Sequence, residues 1–401
     1  MRRAWGGRAV GIAISALLAA CAANRRPATT PEAIFASRTS ATAADRTLRD
    51  SVLLRLARRA KARGDQTLDV LVLSGGGQNG AFGTGFLRGW ASRADAPMPR
   101  FDLVSGVSTG ALQAPYALLG TPAALDTISA LYARAATTIA PRIDWLVLFR
   151  RTGGLVTTGR YNRTLEQTIN GDFHAQLDRA FAEDRQLLFV TTDFDLGIGR
   201  LWSLGDELAR GPSAADGLAR ARTLLRAATA IPGIFPPVMV DGHLHADGGV
   251  TENLAPVLAY EDYVRLAQLL AANGVASAAQ PLTVRLWVVM NNWSHAAPRV
   301  IPASNRGSIS GRSTGLLFYL HQAASLEALP NLARAVTAEV RGVRLEVRLA
   351  ALPSALSMAP GADALFDRAF MAHLDSVGFA KARSASPWDV APSAYIRPER
   401  E

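Results

Sequence analysis

In the first third of this chain, continuous apolar runs alternate with segments in which apolar residues recur at helical spacing. Residues 68–73 are apolar apart from one aspartate, which is typical of a buried strand, and helical spacing continues over residues 80–90. The same order recurs where residues 101–105 lead into a helical segment over residues 111–119. Strands that alternate with helices predict an α/β domain with a parallel sheet.

Later apolar runs extend this pattern. Residues 186–192 and 282–289 predict further buried strands, and residues 343–349 predict an edge strand because apolar and charged residues alternate there. A helical pattern over residues 362–377 would close the domain. The chain has 401 residues, of which 49% are hydrophobic, so it can bury a sizeable core. Since α/β enzymes often use this much chain for one domain, we expect a single catalytic domain over residues 63–390.

The start of the chain has the layout of an export signal. Arg2 and Arg3 precede an apolar run over residues 9–20, and small residues lie just before Cys21. The run is too short to span a bilayer. We therefore predict a signal peptide over residues 1–20.

Cys21 is the only cysteine of the chain, so it cannot form an internal disulfide. Residues 18–21, Leu-Ala-Ala-Cys, resemble the lipobox of bacterial lipoproteins, in which cleavage precedes the cysteine and lipid is attached to it. Several acyl chains on one residue would anchor a protein stably. The resemblance implies a lipid-anchored protein of the cell envelope. Ala22 replaces the aspartate that often retains such proteins at the inner membrane, which favours the outer membrane. An ordinary secretory signal with an incidental cysteine is the alternative.

The net charge of +10 is concentrated near the N-terminus. Residues 1–20 carry +3 and residues 21–66 carry +6, which leaves the remainder nearly neutral. Because a nucleic-acid groove needs basic residues gathered on the folded domain, we expect no nucleic-acid partner.

Residues 21–62 are predicted to form a lipid-anchored linker and a basic helix. Residues 22–43 are rich in small and polar residues, which is typical of a flexible linker. Over residues 45–63, apolar residues and arginines recur at helical spacing. That helix could lie on an anionic membrane surface, or it could pack on the domain with its basic side in water.

A glycine-rich loop over residues 74–80 connects the first predicted strand and helix. Such a loop exposes backbone N–H groups at a helix N-terminus, and these bind anions. Its Gly-x-Gly-x-x-Gly spacing also matches the dinucleotide-binding fingerprint, with Asp95 or Asp102 as a loosely placed ribose ligand. A nucleotide-binding oxidoreductase therefore stays open as an alternative.

The second predicted strand leads into Gly106-Val-Ser108-Thr-Gly110, the pattern of a nucleophile elbow. Flanking glycines let a serine sit on a sharp turn between strand and helix with its hydroxyl exposed. A serine hydroxyl needs a base to accept its proton and donors to bind the oxyanion that forms. The loop over residues 74–80 could supply those donors.

Histidine is the usual base for such a serine, but the histidines of this chain are poorly placed. His321 and His373 fall within helical patterns, whereas His243 and His245 would share one face of a strand. A metal pair at that face is one interpretation, although no third ligand set lies nearby. The other interpretation is that both histidines are exposed on the strand and bind no ligand.

Asp247 is the better candidate for the base. It precedes Gly248 and Gly249, which allow a tight turn that presents the carboxylate toward another loop. A partly desolvated carboxylate has a raised pKa that suits a general base. The alternative is an Asp-Gly turn without a catalytic part, as at the nearby Asp241.

These motifs, in this order, resemble the patatin-like phospholipase family from about residue 69 to residue 256. The stretch over residues 230–237 also resembles the segment before the last family motif, and Asn253 and Pro256 resemble the residues after it. The resemblance implies a three-layer α/β/α fold with a mainly parallel central sheet, and a serine hydrolase that cleaves acyl esters of lipids without a metal or other cofactor. It assigns the catalytic dyad to Ser108 and Asp247. It assigns the oxyanion hole to four glycines of the loop: Gly75, Gly76, Gly77 and Gly80.

One position departs from the family pattern. Asn79 stands where the family usually has arginine or lysine, so no full charge is brought to the oxyanion region. Lowered activity or a shifted substrate range would result. A catalytically weak or inactive lipid-anchored scaffold on the same fold is therefore the main alternative.

Overall fold

A computed structural model of the protein describes residues 29–139, 142–143, 153–293, 298 and 300–389. The predicted signal peptide and Cys21 lie outside these residues. Among the residues that are described, no helix is both long and apolar enough to cross a bilayer.

A mixed sheet of eight strands forms the centre of the molecule. Its strands are β1 Thr67–Leu73, β2 Leu103–Val107, β5 Gln186–Asp193, β6 Ile198–Ser203, β7 Val238–Val240, β8 His243–Asp247, β9 Leu282–Met290 and β10 Val343–Ala351; a separate two-stranded sheet comprises β3 Arg142–Ile143 and β4 Val156–Thr157. The strands of the large sheet follow the order β10-β9-β1-β2-β5-β8-β7, and β6 pairs with β5. The pairs from β10 through to β5 are parallel, whereas β6, β7 and β8 pair in antiparallel fashion.

Helices cover both faces of this sheet, so the predicted three-layer α/β/α fold with a mainly parallel sheet is confirmed. The helices are α1 Pro31–Arg63, α2 Gly80–Ala91, α3 Thr109–Leu119, α4 Pro122–Thr138, α5 Gly159–Thr168, α6 Gly171–Ala182, α7 Leu204–Leu208, α8 Ala214–Ala228, α9 Tyr260–Ala272, α10 Arg306–Glu339 and α11 Arg368–Arg383. One face of the sheet packs against α2 to α8 and α11, and the other packs against α1, α9 and α10.

Strand β1 shows how the sequence specifies the two layers. Leu71 and Leu73 belong to the apolar cluster on one face, and Val70 and Val72 belong to the cluster on the other. Successive side chains of a strand point to opposite faces. A strand that is covered on both sides is therefore apolar at nearly every position, as the sequence predicted.

Helix α1 differs from its prediction in length. It begins at Pro31, with the Thr30 side chain accepting a hydrogen bond from the backbone of its first turn, so much of the predicted linker is helical. Val52, Leu53 and Leu56 are fully buried against the sheet. Of the two interpretations of the basic helix, packing on the domain is the one observed. The boundary predicted at residue 63 therefore falls inside the packed unit.

The end of α1 is joined to the sheet by ion pairs with two fully buried carboxylates. Arg63 Nη1 lies 3.0 Å from Asp69 Oδ2 and 2.5 Å from Asp102 Oδ2, and Arg59 Nε donates to Asp102 Oδ1 at 2.8 Å. Arg285 Nη2 lies 2.7 Å from Asp69 Oδ2. These contacts lie at the amino ends of β1 and β2, and they fix α1 against the strands that lead to the glycine-rich loop and to Ser108.

We expect Arg63→Ala to destabilise the fold by about 3 to 5 kcal/mol, because it leaves buried carboxylates short of a partner. Urea unfolding followed by circular dichroism measures the change. Lys61→Ala, which removes an exposed basic side chain from the same turn of α1, is the matched control and should change the free energy of unfolding by less than about 0.5 kcal/mol. Equal stabilities for the two variants would contradict the role assigned to the ion pairs.

Candidate active site

Ser108 lies on a strained turn between β2 and α3. Its backbone has φ 52° and ψ −121°, a conformation that costs a non-glycine residue energy and recurs at functional sites. The flanking glycines are required by close packing. A Cβ atom on Gly106 would collide with the carbonyl of Gly110, and one on Gly110 would collide with the carbonyl of Leu73. The Gly-x-Ser-x-Gly pattern thus folds as a nucleophile elbow.

The carboxylate of Asp247 accepts a hydrogen bond from the Ser108 hydroxyl, with 2.6 Å between Oγ and Oδ2. Strand β5 sets this distance: Val107 pairs with Val190, and Asp247 pairs with the next residue of β5, Thr191. The serine and the aspartate therefore lie at the same level on either side of β5. The sequence predicted these two residues, and the structure brings them together.

Asp247 is held from several sides. Its Oδ1 accepts the backbone N–H of Gly249 at 2.8 Å, and its carbonyl accepts the hydroxyl of Thr192 at 2.9 Å. Its own N–H donates to the carbonyl of Ala230, in the segment that precedes the last motif. No sequence signal pointed to Thr192, because its contact depends on the antiparallel register of β5 and β8.

Burial controls the charge of this carboxylate. Asp247 is 5% exposed and Ser108 is 7% exposed. Burial raises the pKa of Asp247 to about 6, while the hydrogen bonds from Ser108 and Gly249 oppose that rise. Asp247 is therefore largely ionised at neutral pH and close enough to its pKa to exchange a proton.

The glycine-rich loop lies beside the serine. A Cβ atom on Gly75 would come within 3.2 Å of Ser108 Cβ and would collide with the side chain of Asn253. The Gly75 N–H donates to the carbonyl of Asn253 at 3.1 Å, and the Gly80 N–H bonds to carbonyls of its own turn. Two of the four predicted oxyanion-hole amides are thus engaged within the protein.

The other two amides have no such partner. Among the described residues, no backbone acceptor is hydrogen-bonded to the N–H groups of Gly76 and Gly77. Gly77 has φ +57°, which glycine adopts without strain, and it lines the same cavity as Ser108.

Asn79, the departure from the family pattern, is 5% exposed. Its Oδ1 has no hydrogen-bond partner in the part of the chain that the structure describes. Asn79 therefore places a neutral amide in the glycine-rich loop and brings no positive charge there.

The histidines lie apart from the serine. His243 and His245 do share one side of β8, and both contact the buried carboxylate of Asp193, at 2.8 Å and 3.4 Å. His245 is buried, so the expectation of two exposed strand histidines was wrong for that residue. No group of side chains suited to a metal ion occurs among the described residues. His321 and His373 lie on helices, as their patterns predicted, and both are exposed. No described histidine bonds to Ser108.

Asp193 ends β5, and its Oδ1 accepts the backbone N–H groups of Asp195 and Leu196. Its Oδ2 faces the two histidines, so the carboxylate joins the turn after β5 to strand β8.

The two acids considered as ribose ligands for a dinucleotide, Asp95 and Asp102, are both engaged elsewhere. Asp102 is occupied by Arg59 and Arg63 at the amino end of the sheet, opposite the glycine-rich loop. Asp95 pairs with the neighbouring Arg93 at the surface. Neither carboxylate lies where a ribose on this loop would need it.

Ser108 faces a small apolar cavity of about 40 Å³. Its walls come from α3, α4, α5 and the segment after α8, and they include Leu112, Tyr132, Tyr161 and Phe235. Phe235 falls in the stretch over residues 230–237, but the other three carry no motif, and the sequence did not predict that any of the four would line this cavity. Their role depends on the packing of helices that are distant in sequence.

Comparison with known proteins agrees with these observations. The family model for Patatin-like phospholipase matches residues 71–260. Among solved structures, VipD from Legionella pneumophila is similar at 13% sequence identity and a TM-score of 0.36, over 79% of this chain and 66% of that one. This chain thus spans slightly less than two thirds of the VipD chain, and a TM-score of this size does not by itself show a shared fold. No curated protein sequence matches significantly. The matched segment contains the glycine-rich loop, Ser108 and Asp247, and the chain therefore carries a patatin-like phospholipase domain over residues 71–260.

Proposed function

We propose that this protein is a serine acyl hydrolase that cleaves lipid acyl esters with a dyad of Ser108 and Asp247. The family supports a lipid acyl hydrolase in general. The observation that supports the dyad is the buried 2.6 Å hydrogen bond from Ser108 to the carboxylate of Asp247, whose pKa is about 6.

The proposed reaction has two halves. Asp247 accepts the hydroxyl proton as Ser108 Oγ attacks the ester carbonyl carbon, which gives a tetrahedral intermediate. When that intermediate collapses, the alcohol leaves with the proton from Asp247, and the acyl group stays on Ser108. Asp247 then takes a proton from water, the resulting hydroxide attacks the acyl carbonyl, and the carboxylic acid is released as Ser108 recovers its proton.

The oxyanion of each tetrahedral intermediate needs donors that are already in place. We assign this role to the N–H groups of Gly76 and Gly77, with Gly75 and Gly80 holding the loop. Gly75 suits this structural role for two reasons. Its N–H donates to the carbonyl of Asn253, and its lack of a side chain lets the loop lie directly against the Asn253 side chain. One such donor typically contributes about 3 kcal/mol to transition-state stabilisation.

An inactive scaffold is the weaker alternative. It would rest on Asn79, yet the strained elbow, the buried carboxylate and the unpaired amides are all present, and none of them is needed by a scaffold. Such features cost folding stability, so function is the simpler reason for their presence. Lipid attachment at Cys21 and residence at the outer membrane stay proposals from sequence.

We expect Ser108→Ala and Asp247→Asn each to lower turnover of p-nitrophenyl butyrate by at least about 10³-fold, because nucleophile and base act as one unit. The assay uses the purified full-length chain and a circular dichroism spectrum of each variant. Asp241→Asn is the matched control, since it alters an exposed Asp-Gly turn outside the site and should keep wild-type turnover. Retained activity in Asp247→Asn would indicate another base.

The rate should depend on pH through Asp247. Only the carboxylate accepts a proton, so kcat/KM should rise with pH and reach half its plateau near pH 6. Initial rates from about pH 4 to pH 8, with folding checked at each pH, measure this. A midpoint near the ordinary aspartate value of 3.8 would contradict the buried base.

Asp247→Asn should also stabilise the fold at high pH. Because the folded pKa of about 6 lies above the unfolded value of 3.8, ionisation of Asp247 opposes folding fully above pH 6 and not at all below 3.8. At about 1.4 kcal/mol per pKa unit, the gain is at most about 3 kcal/mol at pH 8 and about half of that at pH 5. Urea unfolding at both pH values tests this, and a variant less stable than wild type at pH 8 would refute it.

A further inference from the structure

The carbonyl groups of the glycine-rich loop control the direction of its amide groups. In a trans peptide unit, the C=O of one residue and the N–H of the next point in opposite directions. A hydrogen bond to the Gly75 carbonyl therefore fixes where the Gly76 N–H points, and a bond to the Gly76 carbonyl does the same for the Gly77 N–H. These two N–H groups are the donors that we assign to the oxyanion.

Both of these carbonyls are bonded within the protein. The Gly75 carbonyl accepts the hydroxyl of Ser74 at 2.9 Å. The Gly76 carbonyl accepts the backbone N–H of Asn79 at 3.1 Å. The N–H groups of Gly76 and Gly77 are thus fixed in direction, although neither has a backbone acceptor among the described residues.

The Ser74 hydroxyl is itself held in the orientation that its bond needs. Its Oγ accepts the backbone N–H of Asn291 at 2.9 Å, so its proton is directed to the Gly75 carbonyl. The Asn291 side chain donates to the Ser74 carbonyl at 2.9 Å, and the Ser74 N–H donates to the carbonyl of Val289 at 3.2 Å. Ser74 and Asn291 are fully buried, so water does not compete for these bonds.

Asn291 also connects the loop to the helix that follows the nucleophile. Its Nδ2 donates to Gln113 Oε1 at 2.9 Å, and Gln113 Nε2 donates to the Gly80 carbonyl at 2.6 Å. Gln113 is fully buried on α3, which begins directly after Ser108. Two buried amide side chains therefore bind both ends of the loop and fix it relative to the serine.

We propose that Ser74 is a positioning residue for the oxyanion hole, because its hydroxyl holds the Gly75–Gly76 peptide unit with the Gly76 N–H toward the oxyanion. This role rests on the proposed function of Ser108 and extends it to a fully buried hydroxyl. The backbone N–H of Asn79 has the same role for Gly77, and any residue except proline supplies it. The lack of a basic side chain at position 79 therefore leaves the direction of the Gly77 N–H unchanged.

The experiment compares Ser74→Ala with Ser105→Ala in the full-length chain. Each change removes a fully buried hydroxyl that donates to a backbone carbonyl, that of Gly75 or that of Ala255, so the two are comparable in their cost to folding. Without its hydrogen bond the Gly75–Gly76 peptide unit can rotate, and kcat/KM of Ser74→Ala for p-nitrophenyl butyrate should fall by about 10- to 100-fold. Ser105→Ala should stay within about threefold of wild type.

Two ketone inhibitors separate positioning from a general loss of structure. Ser108 Oγ adds to the carbonyl carbon of hexyl trifluoromethyl ketone, its proton passes to Asp247, and the ketone oxygen becomes an oxyanion. Hexyl methyl ketone is much less electrophilic and binds as the intact ketone. In Ser74→Ala, the KI of the trifluoromethyl ketone should rise by about the factor by which kcat/KM falls, whereas the KI of the methyl ketone should stay within about twofold of wild type.

The outcomes separate the two proposals. Hydrolysis that persists in Ser108→Ala would overturn the proposed function. If hydrolysis depends on Ser108, an equal kcat/KM in Ser74→Ala and Ser105→Ala, or an equal rise in KI for the two ketones, would overturn the role of Ser74 alone. If Ser74→Ala does not fold, as judged by circular dichroism, Ser74→Cys keeps a weaker donor in place and should raise only the KI of the trifluoromethyl ketone. A wild-type KI in that variant would overturn the role of Ser74.

Discussion

The site depends on one hydrogen bond that spans the width of a β-strand. Ser108 and Asp247 are far apart in sequence, and they meet because β5 lies between β2 and β8 with Val190 and Thr191 at the matching level. A shift of one residue in either pairing would separate the hydroxyl from the carboxylate. The remainder of the fold can therefore be understood as the means of holding this register.

Two opposite ends of the sheet share that task. At the amino ends of β1 and β2, Arg63 binds two buried carboxylates and joins α1 to the strands. At the other end, glycines permit the loop, the elbow and the first turn of α3 to approach within contact distance of one another. Burial at this end raises the pKa of Asp247, so the feature that makes the carboxylate a useful base also makes it unfavourable for folding.

Local patterns predicted the parts of this arrangement that are encoded locally. The β1 and β2 runs, the Gly-x-Ser-x-Gly turn and the Asp-Gly-Gly turn each carry their signal within a few residues, and the structure confirms these elements. Helix α1 starts earlier than predicted, because small and polar residues over 31–43 are compatible with both a linker and a helix. The last helix, predicted over residues 362–377, forms over Arg368–Arg383, where the Asp367 side chain caps its first turn. Thr192 and Tyr161 were missed because their roles come from strand register and helix packing, which single-sequence patterns do not contain. The Gly75 amide was assigned to the substrate, whereas its partner, the carbonyl of Asn253, lies on a loop distant in sequence.

The most direct test of the dyad is covalent labelling by a fluorophosphonate, followed by intact-mass and peptide mass spectrometry. Only a serine whose hydroxyl is activated and whose oxyanion site is formed reacts rapidly with such a reagent. We predict one adduct per chain, located on Ser108, and a labelling rate that falls sharply in Asp247→Asn. Undiminished labelling in that variant, or an adduct on a different serine, would contradict the dyad.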